Sequence, residues 1–209
     1  MHIETQCLHE GYQSKNGEPK ALPIYQSTTY TYDSTEHIGK LFDLSAEGHM
    51  YSRISNPTVD AVEKKIAALE GGVAALCTTS GQAASFLAIA NLCKAGDHII
   101  STATIYGGTI NLFNVTLRRF GIDCTFVDAD ASEAEIQAAF QKNTKAVFGE
   151  TIANPAIAVF DIEKFAAIAH KNGVPLIVDN TFATPCLCRP FEFGADIVVH
   201  STTKYMDGH

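Results

Sequence analysis

The sequence predicts an α/β fold, a mostly parallel sheet with helices on both faces. Three observations point there. Short β-rich runs take turns with helical patterns through the second two thirds of the 209 residues, and strands joined through helices need right-handed crossovers and so run parallel. The runs are apolar almost throughout, as in LIVD (176–179), which is how strands buried from both sides read. Apolar residues make up 46% against 18% charged, too apolar for a disordered chain and enough for one substantial core at this length.

Residues 1 to about 33 show no periodicity but carry Tyr25, Thr28, Thr29, Tyr30 and Tyr32, which suits an extended arm lying on something; on a monomer such an arm would fray. From Asn56 the signals sharpen. Asn56 can cap, Pro57 fits a first turn, Val59, Val62, Ile66 and Leu69 fall on one helical face, and Gly71-Gly72 ends it. Then VAALCT (73–78) predicts a strand and about 81–94 a helix, HIIST (98–102) a strand and about 108–119 a helix. CTFVD (124–128) precedes a helix that Ser132 and Glu135 open as a capping box. KAVFGE (145–150) is followed by a helix over about 162–172, and PLIVD (175–179) and ADIVVHS (195–201) are the last strands.

With 15 basic and 23 acidic residues the net charge is −8, and no lysine- or arginine-rich run offsets it, which argues against nucleic acid. MHIETQCLHEGYQ has no apolar core behind a basic segment, and nowhere do about eighteen apolar residues follow one another, so no membrane span and a cytoplasmic setting are expected. The six cysteines lie scattered in apolar runs without a C-x-x-C pair, the pattern of reduced thiols rather than a metal site; Cys186 and Cys188 lack neighbouring ligands to complete one.

In parallel sheets ligands sit at the carboxyl ends of strands, which gathers Ser80-Gly81-Gln82, Tyr106-Gly107-Gly108, Glu150 to Pro155, Asp179-Asn180 and Ser201 to Lys204. Ser80, Gly81 and Gln82 open a helix whose free N–H groups and dipole suit a phosphate. Asp179 emerges from apolar walls, where a carboxylate holds a cation tightly. Tyr106 stands before two glycines and can offer its ring face to a ligand. Lys204, beside Ser201 and Thr203, is the candidate nucleophile if its amine is desolvated. Taken singly, each has a plain alternative: a helix cap, a turn aspartate, a loop tyrosine, a surface lysine. Taken together, a phosphate cup, an aromatic plate, a buried acid and an amine are what pyridoxal phosphate asks of a protein.

The chain resembles the Cys/Met-metabolism enzymes that use pyridoxal phosphate, through YSRISNPT (51–58), TTSGQAA (78–84), IYGGT (105–109), ETIANP (150–155), VDNTF (178–182) and HSTTKY (200–205). The resemblance implies the large cofactor-binding domain of fold-type I, aspartate-aminotransferase-like enzymes over 51–209, preceded by an N-terminal arm and interface segment over 1–50. It implies a chain that stops just after the Schiff-base lysine, Lys204, without the C-terminal small domain. Asp179 is implied to pair with the ring nitrogen, and Tyr106 to stack on the ring and assist proton transfer at the leaving group. Ser80, Gly81, Gln82, Ser201 and Thr203 are implied to line the phosphate, with Asn154 near the ring hydroxyl. Tyr51 and Arg53 are implied to reach the neighbouring subunit's phosphate in a homo-oligomer, a dimer of dimers.

Members of the family divide into γ-replacement, γ-elimination and β-elimination. Methionine γ-lyase-like members usually carry cysteine where this chain has Gly108, and YGGTINLF with SGQAA resembles the O-acetylhomoserine sulfhydrylase branch. That implies sulfide displacing acetate from O-acetyl-L-homoserine to give homocysteine. Methionine γ-lyase or cystathionine γ-synthase or lyase chemistry stays open, as does a non-catalytic assembly module. A lysine-dependent aldolase without cofactor would leave the phosphate cup and Asp179 without a role. Family enzymes are about twice this length and take the arginine for the substrate carboxylate from their second domain, so full activity is expected to need further sequence.

Overall fold

The computed structural model describes residues 1–208 and divides into two compact units, Met1–Cys77 and the chain from Thr78 onward. The second unit is built on five strands: β1 (His98–Thr102), β2 (Asp123–Val127), β3 (Thr144–Glu150), β4 (Leu176–Asp179) and β5 (Ile197–Val199). They lie in the order β2-β1-β3-β4-β5, every neighbouring pair parallel. Helices make the crossovers. In the first unit come α1 (Ile3–His9), α2 (Thr35–Phe42) and α3 (Pro57–Glu70); α4 (Gly81–Leu92) leads into β1. Next, α5 (Gly107–Asn111) runs on as a π-helical stretch, Leu112–Leu117, and α6 (Glu133–Ala138) and α7 (Ile162–Lys171) flank β3. A short α8 (Thr184–Leu187) and a 3₁₀ turn (Pro190–Phe193) join β4 to β5.

Alternation along the strands explains their unbroken apolar reading. Ile100, Val147 and Val178 turn to one face, where they bury Ile136, Phe165 and Ala169 of α6 and α7. Their chain neighbours Ile99, Phe148 and Ile177 turn to the other, against Ile89 of α4 and Phe113 and Leu117. Phe113 meets Phe148 edge-on at 5.0 Å. Each such side chain contributes about 1.5–3 kcal/mol by leaving water. At the opposite end from the candidate site, the buried ring of His98 in β1 hydrogen-bonds Thr144 in β3 and Thr125 in β2, both at 2.8 Å, tying three strands.

The predicted caps form. Asn56 accepts the Thr58 N–H at 2.9 Å, Gly71 closes α3 at φ 77°, and Ser132 with Glu135 makes a full capping box. One predicted strand does not. VAALCT stays unpaired, with Val73 and Leu76 exposed and the Cys77 N–H satisfied by the Glu63 carboxylate. An apolar run becomes a strand only where a neighbour takes its N–H and C=O groups, and among the described residues none does here. The aperiodic N-terminal stretch carries a helix, α1, which its residue pattern did not predict. The arm is tied within its own unit rather than frayed: Tyr25 N–H donates to Thr58 Oγ1, Asn56 Nδ2 to the Tyr25 carbonyl, and Lys65 Nζ to the Cys7 carbonyl. On the predicted apolar face of α3, Leu69 is buried, whereas Val59 and Val62 are exposed. No helix of the described residues is long and apolar enough to cross a membrane. Among those residues no three His, Cys, Asp or Glu side chains gather as a metal site, and all six cysteines are free thiols.

Candidate active site

The strand order sets where a ligand can sit. From β1 the chain moves outward to β2, then returns across β1 to place β3 on its other side, so the connections that leave β1 and β3 diverge, and the crevice that such a switch point makes is expected at their carboxyl ends. There the Tyr106 N–H, four residues past β1, donates to Oε2 of Glu150, the last residue of β3, at 2.7 Å. The Tyr106 side chain is half exposed. Its ring folds back over Gly108, where an added Cβ would fall 2.5 Å from Cε1.

Asp179 ends β4 and stands level with Glu150 in the parallel register, so both side chains leave the same face of the sheet. Burial raises the carboxyl pKa of Asp179; the Thr181 hydroxyl and N–H, and then the His200 charge, oppose the rise. Glu150 is pushed up to about 7, first by burial and then by the charge of Asp179, against the N–H groups of Tyr106 and Asn154. Thr181 Oγ1 donates to Asp179 at 2.5 Å and accepts the Ser201 N–H at 2.9 Å.

Ser201 in turn lies against the start of α4. An alanine Cβ at Gly81 would come within 2.7 Å of the Ser201 Cβ, so only glycine allows this approach. Ser80 caps the helix by accepting the Ala83 N–H at 3.1 Å, and among the described residues the N–H groups of Gly81 and Gln82 find no protein acceptor. Gln82 Nε2 donates to Thr109 Oγ1 at 3.0 Å, which fastens α4 to α5.

Four of the predicted residues thus fall on one line, Gly81 against Ser201, Ser201 through Thr181 to Asp179, and Asp179 beside Glu150, which takes the Tyr106 N–H; the Asn154 N–H acts on the same Glu150. Lys204 joins through backbone alone, its N–H donating to the Ser201 carbonyl at 3.3 Å; its side chain, like that of Thr203, is exposed. The described residues therefore do not themselves bury the amine. Tyr51 and Arg53 belong to the first unit, where the guanidinium lies over the phenol ring, 5.0 Å from its centroid. Two connecting residues, Glu150 and Thr181, received no role from the sequence. For Glu150 a signal existed: KAVFGE and PLIVD both end in an acid, and parallel strands in register set those two ends side by side.

Residues 4–209 match the family described as Cys/Met metabolism PLP-dependent enzyme. The chain is 53% identical over 209 residues to an O-acetyl-L-homoserine sulfhydrylase of Corynebacterium glutamicum, covering 99% of this chain and 48% of that protein. It is 49% identical over 212 residues to a homocysteine/cysteine synthase of Kluyveromyces lactis, covering 100% and 47%. The structure matches the crystal structure of a candidate O-acetylhomoserine (thiol)-lyase from Campylobacter jejuni, which holds a pyridoxyl-lysine phosphate, with a TM-score of 0.95 at 40% identity, over 100% of this chain and 51% of that one. The chain spans about half the length of the curated relatives it matches. With a parallel sheet of this order, a family pattern running almost end to end and relatives near half identity, the chain belongs to the Cys/Met-metabolism family of pyridoxal-phosphate-dependent enzymes.

Proposed function

We propose that this chain is the cofactor-binding part of a transferase that replaces the acetate of O-acetyl-L-homoserine with sulfide, giving L-homocysteine. The observation that carries the cofactor site is the contact line from Gly81 through Ser201, Thr181, Asp179 and Glu150 to Tyr106, which brings a helix start with two open N–H groups, a buried acid and an aromatic residue side by side. Those groups fit pyridoxal phosphate by their chemistry. The Gly81 and Gln82 N–H groups, with the hydroxyls of Ser80, Ser201 and Thr203, would take the phosphate at the positive end of α4. A buried Asp179 prefers its proton while alone and ionises against a cation, which suits a protonated ring nitrogen. Tyr106 would stack, Asn154 would meet the ring hydroxyl, and Lys204 would form the link to the cofactor and then carry protons between substrate carbons. Bound pyridoxal phosphate supplies an aldehyde and a ring that accepts electrons from the substrate α-carbon. Covering of the exposed Lys204 amine would come with that binding.

The acetyl substrate and the sulfide rest on the names of the relatives near half identity. The lyase and cystathionine readings have as support the weaker likeness to a cystathionine γ-lyase structure from Lactobacillus plantarum, at 37% identity. Tyr51 and Arg53 would serve a neighbouring copy's phosphate, and the exposed Val59 and Val62 suit cover by such a copy. Six free thiols suit a reducing, cytoplasmic setting.

Adding pyridoxal phosphate to the purified chain is expected to raise a visible absorption band that Lys204→Ala abolishes; a chain that stays colourless at saturating cofactor refutes the site. Homocysteine formed only when sulfide is present separates replacement from elimination, which releases a keto acid without it.

A further inference from the structure

Glu150 has no part in the chemistry above, yet few side chains of the molecule are as well placed. It is 5% exposed, it closes β3 at the crevice, and it stands level with Asp179 on the adjoining strand. Adjacent parallel strands lie roughly 5 Å apart, so the two carboxyl groups leave one sheet face as close neighbours. The titratable group that acts on the pair is His200, just past β5 and felt by Asp179; Lys204 follows four residues after His200 and is exposed. Two carboxylates in so little water resist ionising together, so below a pH of about 7 one proton stays with the pair. Meanwhile Glu150 receives the Tyr106 N–H at 2.7 Å, so the same carboxyl group holds the turn that follows β1, and the Asn154 N–H favours its charged form.

Building on the cofactor site proposed above, we propose that Glu150 is a positioning residue: it shares one proton with Asp179, pins the Tyr106 turn beside it, and gives that proton up when a cationic ring arrives at Asp179. In the step an O–H bond of the pair breaks and the proton passes to water; nothing is oxidised or reduced. Before binding, the crevice carries one negative charge at this spot, and after binding two, both facing the cation. Tyr106 is held by main chain throughout, because either form of the carboxyl group keeps an acceptor oxygen for its N–H.

The test is a carboxyl ¹³C titration of the glutamate-labelled chain, with Glu150 assigned by its loss in Glu150→Gln. Without cofactor, the Glu150 midpoint is expected near 7, above the other glutamates, and it moves to lower pH in Asp179→Asn. The Tyr106 amide resonance is expected to titrate with the same midpoint, and should Glu150→Gln not fold, that amide in the unaltered chain carries the same decision. With pyridoxal phosphate bound, the Glu150 midpoint falls. A midpoint in the ordinary carboxylate range, one indifferent to Asp179→Asn, or one unmoved while the visible band shows full occupancy overturns the proposal. Failure of the band to form at all refutes the cofactor site instead, and the cofactor-free titration still decides whether the pair shares a proton.

Discussion

Replacing Gly81 by alanine adds one methyl group at the point where α4 meets the turn after β5. The new Cβ would lie 2.7 Å from the Ser201 Cβ and 3.0 Å from its Cα, and the latter atom belongs to a backbone held by Thr181. Neither neighbour is the free end of a flexible side chain, so the two segments must part. Overpacking of this kind costs about 1–3 kcal/mol. Alanine's better helix propensity offsets up to about 1 kcal/mol of that. Gly107→Ala separates the two effects, since it also sits at a helix start but has nothing within 4 Å of its added Cβ. Relative to Gly107→Ala, Gly81→Ala is expected to lose roughly 2–12 °C in Tm, at about 2–4 °C per kcal/mol for a chain of this size. Moving Ser201 from the helix start also weakens pyridoxal phosphate binding, by about tenfold for each 1.4 kcal/mol lost. Thermal unfolding and a spectrophotometric cofactor titration read both effects. Equal Tm and equal affinity in the two variants would refute the claim that Gly81 is there for close approach.

Gly108→Ala pushes a Cβ into the Tyr106 ring and is expected to weaken cofactor binding about tenfold, roughly 1.4 kcal/mol, by tilting the ring; an unchanged titration would show that the ring's position does not matter. Thr181→Val removes the hydroxyl that donates to Asp179 and accepts the Ser201 N–H, leaving the residue 181 N–H on Asp179, so a loss of about 1–3 kcal/mol is expected in urea unfolding, with weaker cofactor binding; a neutral variant contradicts the linking role. His98 is buried and its folded pKa is lowered from 6.5, chiefly by burial, so its stabilising contribution is present above the unfolded value and is lost as pH falls through about 6.5 and below. Urea midpoints at several pH values are therefore expected to fall more steeply with acid in the unaltered chain than in His98→Gln, and parallel slopes would exclude that contribution.

Much of the fold was legible because its signals are local. The Asn56 and Ser132 caps and the Gly71 stop each act within a few residues and form where expected, as do the strands from HIIST onward. VAALCT failed because pairing is a property of two segments, and the composition of one run says nothing of its partner. The π-helical stretch at Leu112–Leu117 carries no sequence pattern that sets it apart from an α-helix. At the site, residue type at a strand end singles out Asp179 and Tyr106, whereas the Gly81 turn is expected after VAALCT, which forms no strand. Residue type gave no role to Thr181, whose part depends on a hydroxyl reaching two strands, nor to Glu150, which matters only through its register with Asp179.

Lys204 is the residue proposed to join the cofactor. Borohydride reduction of the chain loaded with pyridoxal phosphate, followed by peptide mapping, tests it most directly. A pyridoxyl group on Lys204 is the predicted result, and the same group on any other lysine would contradict the assignment.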